Sequence, residues 1–208
     1  MDGLRRWFVM AILCFSGGII FMLPFLREVY YIPMQEAFGY DNTQMGVLMS
    51  VFGTVSLLTY FPGGWIADCF SPRKLIASSL LATGLAGFYF STYPTYSINI
   101  IIHGFWGLCI SLVFWGAMIK ATRAWASADE QGKAFGILES GRGISEVLSS
   151  SLILAVFAWL GSNATALSQV INLFALTNIG LAIMTWFILD DQLANQENDT
   201  QPKVGLKE

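Results

Sequence analysis

The sequence predicts an all-α integral membrane protein with six membrane-spanning helices. Of its 208 residues, 55% are hydrophobic and 12% are charged, and the mean hydropathy is +0.59; a soluble domain has about 25% charged residues. A helix needs about 20 apolar residues to cross the hydrocarbon core of a bilayer. Runs of this kind follow one another between short polar breaks, and they predict spans at 7–34, 45–66, 73–93, 98–119, 134–160 and 167–189.

Composition also excludes several classes of protein. The formal net charge is −3, which gives no strongly basic surface for nucleic acid. The three cysteines, Cys14, Cys69 and Cys109, are far apart and odd in number, so they predict neither a disulfide framework nor a metal site. We expect no metal, no cofactor and no catalytic residue. The apolar run after Arg5-Arg6 is longer than a signal peptide requires and lacks an Ala-x-Ala site, so we interpret it as a retained helix.

The first span contains an arginine. A helix over 7–34 would measure about 42 Å, longer than the ~30 Å hydrocarbon core, so Arg27 should lie one or two turns inside the outer boundary. An arginine at that depth must face a partner or a water-filled cavity. Tyr30 and Tyr31 follow three and four residues later and should share its face. The alternative is an interfacial arginine within an aromatic belt.

The second span is rich in small residues and ends near a tyrosine. Tyr60 could line a polar cavity or anchor the helix at the interface. The small residues favour tight helix packing; they are Gly46, Ser50, Gly53, Thr54, Ser56 and Thr59.

A short break separates the second and third spans. Ser71-Pro72 is typical of a helix start, with serine as N-cap and proline in the first turn. Asp68 then lies at the C-terminal end of the second span, where the helix macrodipole disfavours an anion. We expect Arg73 and Lys74 to compensate that charge.

This break resembles the loop between helices 2 and 3 of major facilitator superfamily transporters. The family pattern is Gly-x-Leu-Ala-Asp-Arg-x-Gly-x-Arg/Lys-Arg/Lys, and this chain has Gly64-x-Ile66-Ala67-Asp68-x-x-Ser71-x-Arg73-Lys74. It departs from the pattern at Cys69, where the family usually has a basic residue, and at Ser71, where it usually has glycine. An ordinary turn with positive charges is the simpler alternative.

The fourth span holds the single histidine, His103. The superfamily often has an arginine linked to substrate or proton handling at this place, and a histidine keeps an ionisable group there. The alternative is a histidine that bonds a neighbouring helix. Lys120-Ala-Thr-Arg123-Ala-Trp125 closes the span and resembles the end of helix 4 in the sugar-phosphate and organic-anion branch of the family.

The fifth span has the densest group of charges. Glu139, Arg142 and Glu146 are spaced three and four residues apart and therefore lie on one helical face. A charge inside the membrane is costly unless it is paired, and we expect Arg142 to pair with Glu146. Gly132, Gly136 and Ser140 form a stripe of small residues that predicts close packing. By resemblance, Arg142 falls where organophosphate:phosphate antiporters place a substrate-site histidine.

The distribution of lysine and arginine predicts the orientation. Cytoplasmic loops of membrane proteins carry an excess of basic residues. The loops near 35–44, 94–97 and 161–166 carry none, so we expect both termini in the cytoplasm. The opposite segments carry Arg5, Arg6, Arg73, Lys74, Lys120, Arg123 and Lys133.

The resemblance covers residues 1 to about 190 but only the N-terminal half of a twelve-helix fold, whose substrate is held between two six-helix halves. Residues 1–190 are expected to form this half, and 191–208 a disordered cytoplasmic tail or the linker between halves. The half would need a missing C-terminal half or a second copy as partner. A transporter-like sensor or inactive half that transports nothing is the alternative.

The resemblance implies a secondary active transporter of the inner or plasma membrane, not an enzyme. An intramembrane serine protease does not fit, because Ser140-Gly141 lacks the leading glycine of its motif and His103 precedes it. The expected substrate is a small organic anion such as a sugar phosphate or carboxylate, coupled to a proton or to phosphate, with membrane lipid as surroundings.

The expected roles of the residues divide into three sets. Substrate binding is expected of Arg27, Tyr30, Tyr31, Tyr60 and Arg142. Proton or charge relay is expected of His103, Glu139 and Glu146. A conformational gate is expected of Gly64, Asp68, Arg73, Lys74, Lys120 and Arg123.

Overall fold

The computed structural model describes residues 3–190, and the expected tail at 191–208 lies outside them. Within that range the chain is helical and has no strand. A π-helical turn at Cys109–Phe114 joins α5 and α6 into one rod, and a 3-10 turn at Ala128–Glu130 leads into α7. The helices are α1 Gly3–Ile19, α2 Arg27–Phe38, α3 Asn42–Cys69, α4 Pro72–Phe90, α5 Tyr96–Leu108, α6 Trp115–Trp125, α7 Gln131–Trp159 and α8 Ala164–Ile188.

Five of the six predicted spans each correspond to one helical rod, but the first does not. The predicted span 7–34 is divided at residues 20–26, where α1 has ended and α2 has not begun. Pro24 has no backbone N–H and cannot donate an α-helical hydrogen bond. Nearby backbone hydrogen bonds span three residues, as in a 3-10 helix, for example from Met22 N to Ile19 O at 3.0 Å. Tyr30 is a second irregularity, with φ −115° and ψ 37°. The described chain therefore has seven rods instead of six.

Four of these rods are long and apolar enough to cross a membrane by length and composition. They are Asn42–Cys69, Tyr96–Trp125, Ala128–Trp159 and Ala164–Ile188. Helix α1 has 17 residues, and α4 has 19 and begins with Arg73 and Lys74 in its first turn. The structure thus supports the prediction of an all-α multi-pass membrane protein.

Glycines bring the helices into close contact, but at different positions from those predicted. A Cβ on Gly84 of α4 would lie 2.8 Å from Ala175 O of α8, and one on Gly107 of α5 would lie 2.7 Å from Phe52 O of α3. Gly18 of α1 would similarly meet Arg142 O of α7 at 2.8 Å. The helix backbones therefore touch at these places.

The glycines of the predicted sets do not make such contacts, although Ser56 of α3 lies beside Gly107 of α5. Added Cβ atoms at Gly46, Gly53, Gly132 and Gly136 would meet nothing within 4 Å. The prediction of tight packing was wrong at these glycines, because their faces of α3 and α7 point away from the described bundle.

Candidate functional site

Arg142 on α7 is a largely enclosed charge of the predicted site. Its side chain is 16% exposed, and its Nη1 donates to both carboxylate oxygens of Glu139, at 2.8 and 2.7 Å. The guanidinium carbon lies 4.8 Å from the ring centre of Trp115 and 5.8 Å from that of Phe21. A carboxylate and two aromatic faces therefore stabilise this cation.

The predicted Arg142–Glu146 pair is wrong, since the ion pair is made with Glu139. Both carboxylates share the face of Arg142, but side chains on a helix lean toward its N-terminus. The arginine reaches back to the preceding turn, and Glu146 on the following turn remains exposed.

A cavity of about 230 Å³ adjoins Arg142 at the interruption between α1 and α2. Phe21 and Phe25 from the interrupted segment form an aromatic part of its wall, and Glu146 and Ser150 of α7 form a polar part. Tyr30, which is 1% exposed, also lines the cavity. The Tyr30 hydroxyl and Arg142 Nε are buried without a hydrogen-bond partner among residues 3–190. A cation, a carboxylate and a buried tyrosine thus line the same cavity.

Arg27 does not join this cavity. Its Nη1 donates to Met45 O at 3.0 Å, and its Nε donates to Glu28 Oε1 at 3.1 Å. Tyr31 behaves similarly, since its hydroxyl donates to Asn42 Oδ1 at 2.9 Å. Both side chains therefore connect α2 to the start of α3.

The prediction that Tyr30 and Tyr31 share the face of Arg27 was wrong for Tyr30, whereas Tyr31 and Arg27 both reach the start of α3. Tyr30 packs its ring 5.1 Å from Phe157 of α7, on the other side of α2. The backbone of Tyr30 is not helical, so the three-residue spacing does not place its side chain beside Arg27.

A larger cavity, of about 700 Å³, lies between α3 and the α5–α6 rod. It brings Tyr60 together with residues expected to form the gate, namely Gly64, Asp68, Lys120 and Arg123. Trp115 also lines this cavity, and the same indole contacts Arg142. Trp115 therefore connects the two cavities, and no spacing rule in the sequence pairs it with an arginine on another helix.

The cation at the C-terminal end of α3 is Lys120. Its Nζ donates to Ala67 O at 2.9 Å and to Asp68 O at 3.3 Å, which is a favourable place for a positive charge. The expectation that Arg73 and Lys74 would compensate Asp68 was wrong, and among residues 3–190 the Asp68 carboxylate makes no ion pair.

Arg73 and Lys74 instead face α8. Ser71 and Pro72 start α4 as predicted, and the first turn then carries the basic pair toward α8. The Arg73 guanidinium lies 5.1 Å from the ring centre of Trp186, and Lys74 lines a groove with the same tryptophan.

His103 lies apart from both polar cavities. It is 2% exposed, its Nδ1 lies 2.8 Å from Asn99 O one turn earlier, and its ring contacts Phe90 and Trp106. Within the described part of the chain, no hydrogen bond joins its imidazole to an ionisable side chain. The surroundings of His103 therefore favour a histidine packed between helices over a proton relay.

A second ionic cluster at the same end as Lys120 was not anticipated from the sequence. Arg6 Nη2 lies 2.7 Å from Glu130 Oε2, and the Arg6 guanidinium lies 4.1 Å above the ring of Trp125. Trp125 Nε1 in turn donates to Arg6 O at 2.6 Å. These contacts fasten the start of α1 to the α6–α7 connection.

Comparison with protein families finds the Major Facilitator Superfamily model over residues 6–207. The inner membrane protein YqcE of Escherichia coli K12 is 37% identical over 207 residues, which cover 98% of this chain and 49% of that protein. The inner membrane protein YihN of the same organism is 34% identical over 98% of this chain and 47% of its own length. The chain thus spans about half the length of the curated relatives it matches.

A more distant relative and a solved structure complete the comparison. A probable hexose phosphate transport protein of Chlamydia muridarum is 24% identical over 92% of this chain and 39% of that protein. A crystal structure of a bacterial homologue of the human lysosomal transporter Spinster, inward-facing and unoccupied, superimposes with a TM-score of 0.76 at 14% identity. It covers 92% of this chain and 44% of the solved one, and it shows a shared fold.

Proposed function

Because this chain belongs to the Major Facilitator Superfamily, we propose that it forms the N-terminal half of a secondary active transporter that moves a small organic anion by alternating access. In this proposal α1 and α2 together make the first of six membrane crossings. The anion is a sugar phosphate or a carboxylate, and the relative described as a probable hexose phosphate transport protein supports that class.

The observation that carries the proposal is the setting of Arg142. A cation inside a membrane bundle is costly, and such residues usually mark a substrate or ion pathway. Glu139 occupies one nitrogen of its guanidinium, Nη1, and the same arginine lines the adjoining cavity. An anionic group in this cavity would bind the guanidinium by charge-assisted hydrogen bonds.

The predicted residues take different parts in this site. Arg142 and Tyr30 bind the substrate at the smaller cavity, and Tyr60 does so at the larger one. The substrate reaches Arg27 and Tyr31 when α2 moves relative to α3. Glu139 and Glu146 carry the coupling proton, whereas His103 has the least support for that role because it lies outside both cavities.

The gate is assigned to the end of the bundle that carries the basic residues. Lys120 holds the end of α3 through two backbone carbonyl groups, beside Gly64, Asp68 and Arg123 at the larger cavity. Arg73 and Lys74 hold α4 against α8 at the same end. The excess of basic residues places this end in the cytoplasm in our proposal, with the relatives' inner membrane as location.

The unpartnered faces of α3 and α7 support a facing half. Only 17% of an apolar 18-residue stretch of α3 is buried within the described chain, and the share is also 17% for the rod that contains α7. The corresponding share is 50% for the α5–α6 rod. A second six-helix half would cover the two exposed helices and enclose the larger cavity.

Transport by reconstituted liposomes tests the proposal. We expect no saturable uptake of glucose 6-phosphate or of a dicarboxylate by the 208-residue chain alone. Uptake should appear when the chain is joined to the C-terminal half of YqcE, and Arg142→Lys should weaken the apparent affinity, because lysine keeps the charge but loses the planar fork.

Two outcomes would contradict this reading. Robust uptake by the chain alone would show that copies of it assemble into a working transporter. Binding of the anion without uptake in the joined protein would favour a sensor.

A further inference from the structure

A groove between α4 and α8 differs in chemistry from the two cavities described above. Its volume is about 280 Å³, and it lies where α4 begins and α8 ends. Two small buried residues, Ala77 and Ala182, form its floor, and exposed large side chains such as Leu81, Trp186 and Phe187 form its walls. It is therefore a concave apolar surface on the outside of the bundle.

Among residues 3–190, Lys74 is the only charged residue that lines the groove, and it lies at the mouth. The neighbouring Arg73 guanidinium stands over Trp186, which forms one wall. By contrast, both cavities mix the two signs of charge: Arg142 with Glu28 and Glu146 lines the smaller one, and Lys120 and Arg123 with Asp68 line the larger one. The groove thus combines positive charge at one end with hydrocarbon along the rest.

The dimensions of the groove match one chain of a lipid. From Lys74 to Leu81 the helix rises about 10 Å, which is the length of several methylene groups. Each buried methylene contributes about 0.8 kcal/mol in favour of binding, and Trp186 at the mouth is the kind of residue found where a bilayer meets water. A small hydrophilic solute would gain nothing from such walls.

We propose that this groove is a binding site for one anionic phospholipid. The acyl chain lies between α4 and α8 over Ala77 and Ala182, and the headgroup phosphate binds the Lys74 ammonium. This site is separate from the solute pathway, and it requires neither a second half nor a particular substrate.

Lipid retention measured by native mass spectrometry tests the proposal. The purified 208-residue chain is exposed to mixed micelles that contain equal amounts of phosphatidylglycerol and phosphatidylcholine. We expect one phosphatidylglycerol to be retained in preference to phosphatidylcholine. Lys74→Gln should lower its occupancy about fivefold, the effect of one basic residue at a membrane surface.

Two further variants make the test specific. Lys133→Gln removes the same charge from an exposed lysine that does not line the groove, and it should leave retention unchanged. Ser78→Phe fills the groove and keeps Lys74, so it should abolish the retention of phosphatidylglycerol. Because Lys74 is exposed, the comparison of the two lysine variants decides the matter if Ser78→Phe does not fold.

Three results would overturn the site. Equal retention of both lipids by the wild-type chain would remove the anionic preference. Equal losses of retained phosphatidylglycerol in Lys74→Gln and Lys133→Gln would show a general effect of charge. Full retention by folded Ser78→Phe would place the acyl chain elsewhere.

Discussion

Gly17 of α1 lies directly against the side chain of Arg142 of α7. A Cβ at residue 17 would stand 2.7 Å from Arg142 Cδ and 2.8 Å from Arg142 Nε. The arginine stem therefore occupies the space that the glycine leaves open. We expect Gly17→Ala to displace Arg142 and to destabilise the protein by about 1–3 kcal/mol, as overpacking does, in a thermal unfolding assay in detergent.

Gly46→Ala is the matched control for that variant. Gly46 also lies inside a helix, but an added methyl group there would meet nothing within 4 Å. Replacing glycine by alanine in a helix should then stabilise by about 0.5–1 kcal/mol. Equal melting temperatures for the two variants would show that the contact at Gly17 has no energetic effect.

The ion pair of Arg142 predicts different effects for two neighbouring carboxylates. Glu139→Gln removes the charge that Arg142 contacts, and since Glu139 is 57% exposed we expect a loss of only about 1 kcal/mol. Glu146→Gln should change thermal stability much less. The pairing with Glu139 would be refuted by a larger loss in Glu146→Gln.

Lys120 should stabilise the last turn of α3. Without its two bonds to backbone carbonyl oxygens, amide hydrogen exchange over residues 66–70 should become about two- to fivefold faster, the effect of a favourable charge at a helix C-terminus. The measurement compares Lys120→Gln with Arg123→Gln, which removes a charge from the same cavity. Equal amide exchange in the two variants would show that the Lys120 contact does not stabilise the end of α3.

Tyr93 should titrate abnormally in alkaline solution. It lies between α4 and α5, and its hydroxyl donates to Ala164 O of α8. Burial raises the pKa of Tyr93 to about 12, whereas an unfolded tyrosine ionises near pH ~10. Its contribution to stability is therefore fully present below pH ~10 and is lost as the pH rises toward 12.

Ultraviolet absorbance of phenolate measures this ionisation directly. The titration of the wild-type protein minus that of Tyr93→Phe should show one step near pH 12. A difference step near pH ~10 would mean that the phenol is solvated.

The orientation can be read from two positions at opposite ends of the bundle. Cys69 is exposed at the connection between α3 and α4, and Pro94 lies in the connection between α4 and α5. In intact cells an impermeant thiol reagent should label Pro94→Cys in a chain whose native cysteines are replaced, and it should not label Cys69 of the wild-type chain. The reverse pattern would place both termini outside the cytoplasm.

Much of the architecture follows from local sequence. Five of the predicted spans correspond to single rods, because the length of an apolar run depends on residues that are neighbours in the chain. The start of α4 at Ser71 and Pro72 was likewise predictable, since a cap depends on only a few consecutive residues. The family could be recognised from one loop for the same reason.

The contacts of the candidate site were decided by tertiary structure. Helical spacing places Glu139 and Glu146 on the face of Arg142, but the lean of the side chain and the contacts with Gly17 and Trp115 determine the pairing. Spacing also assumes an unbroken helix, and at Tyr30 the backbone is not helical. Sequence thus determines which residues can share a face, whereas packing between helices determines which of them meet.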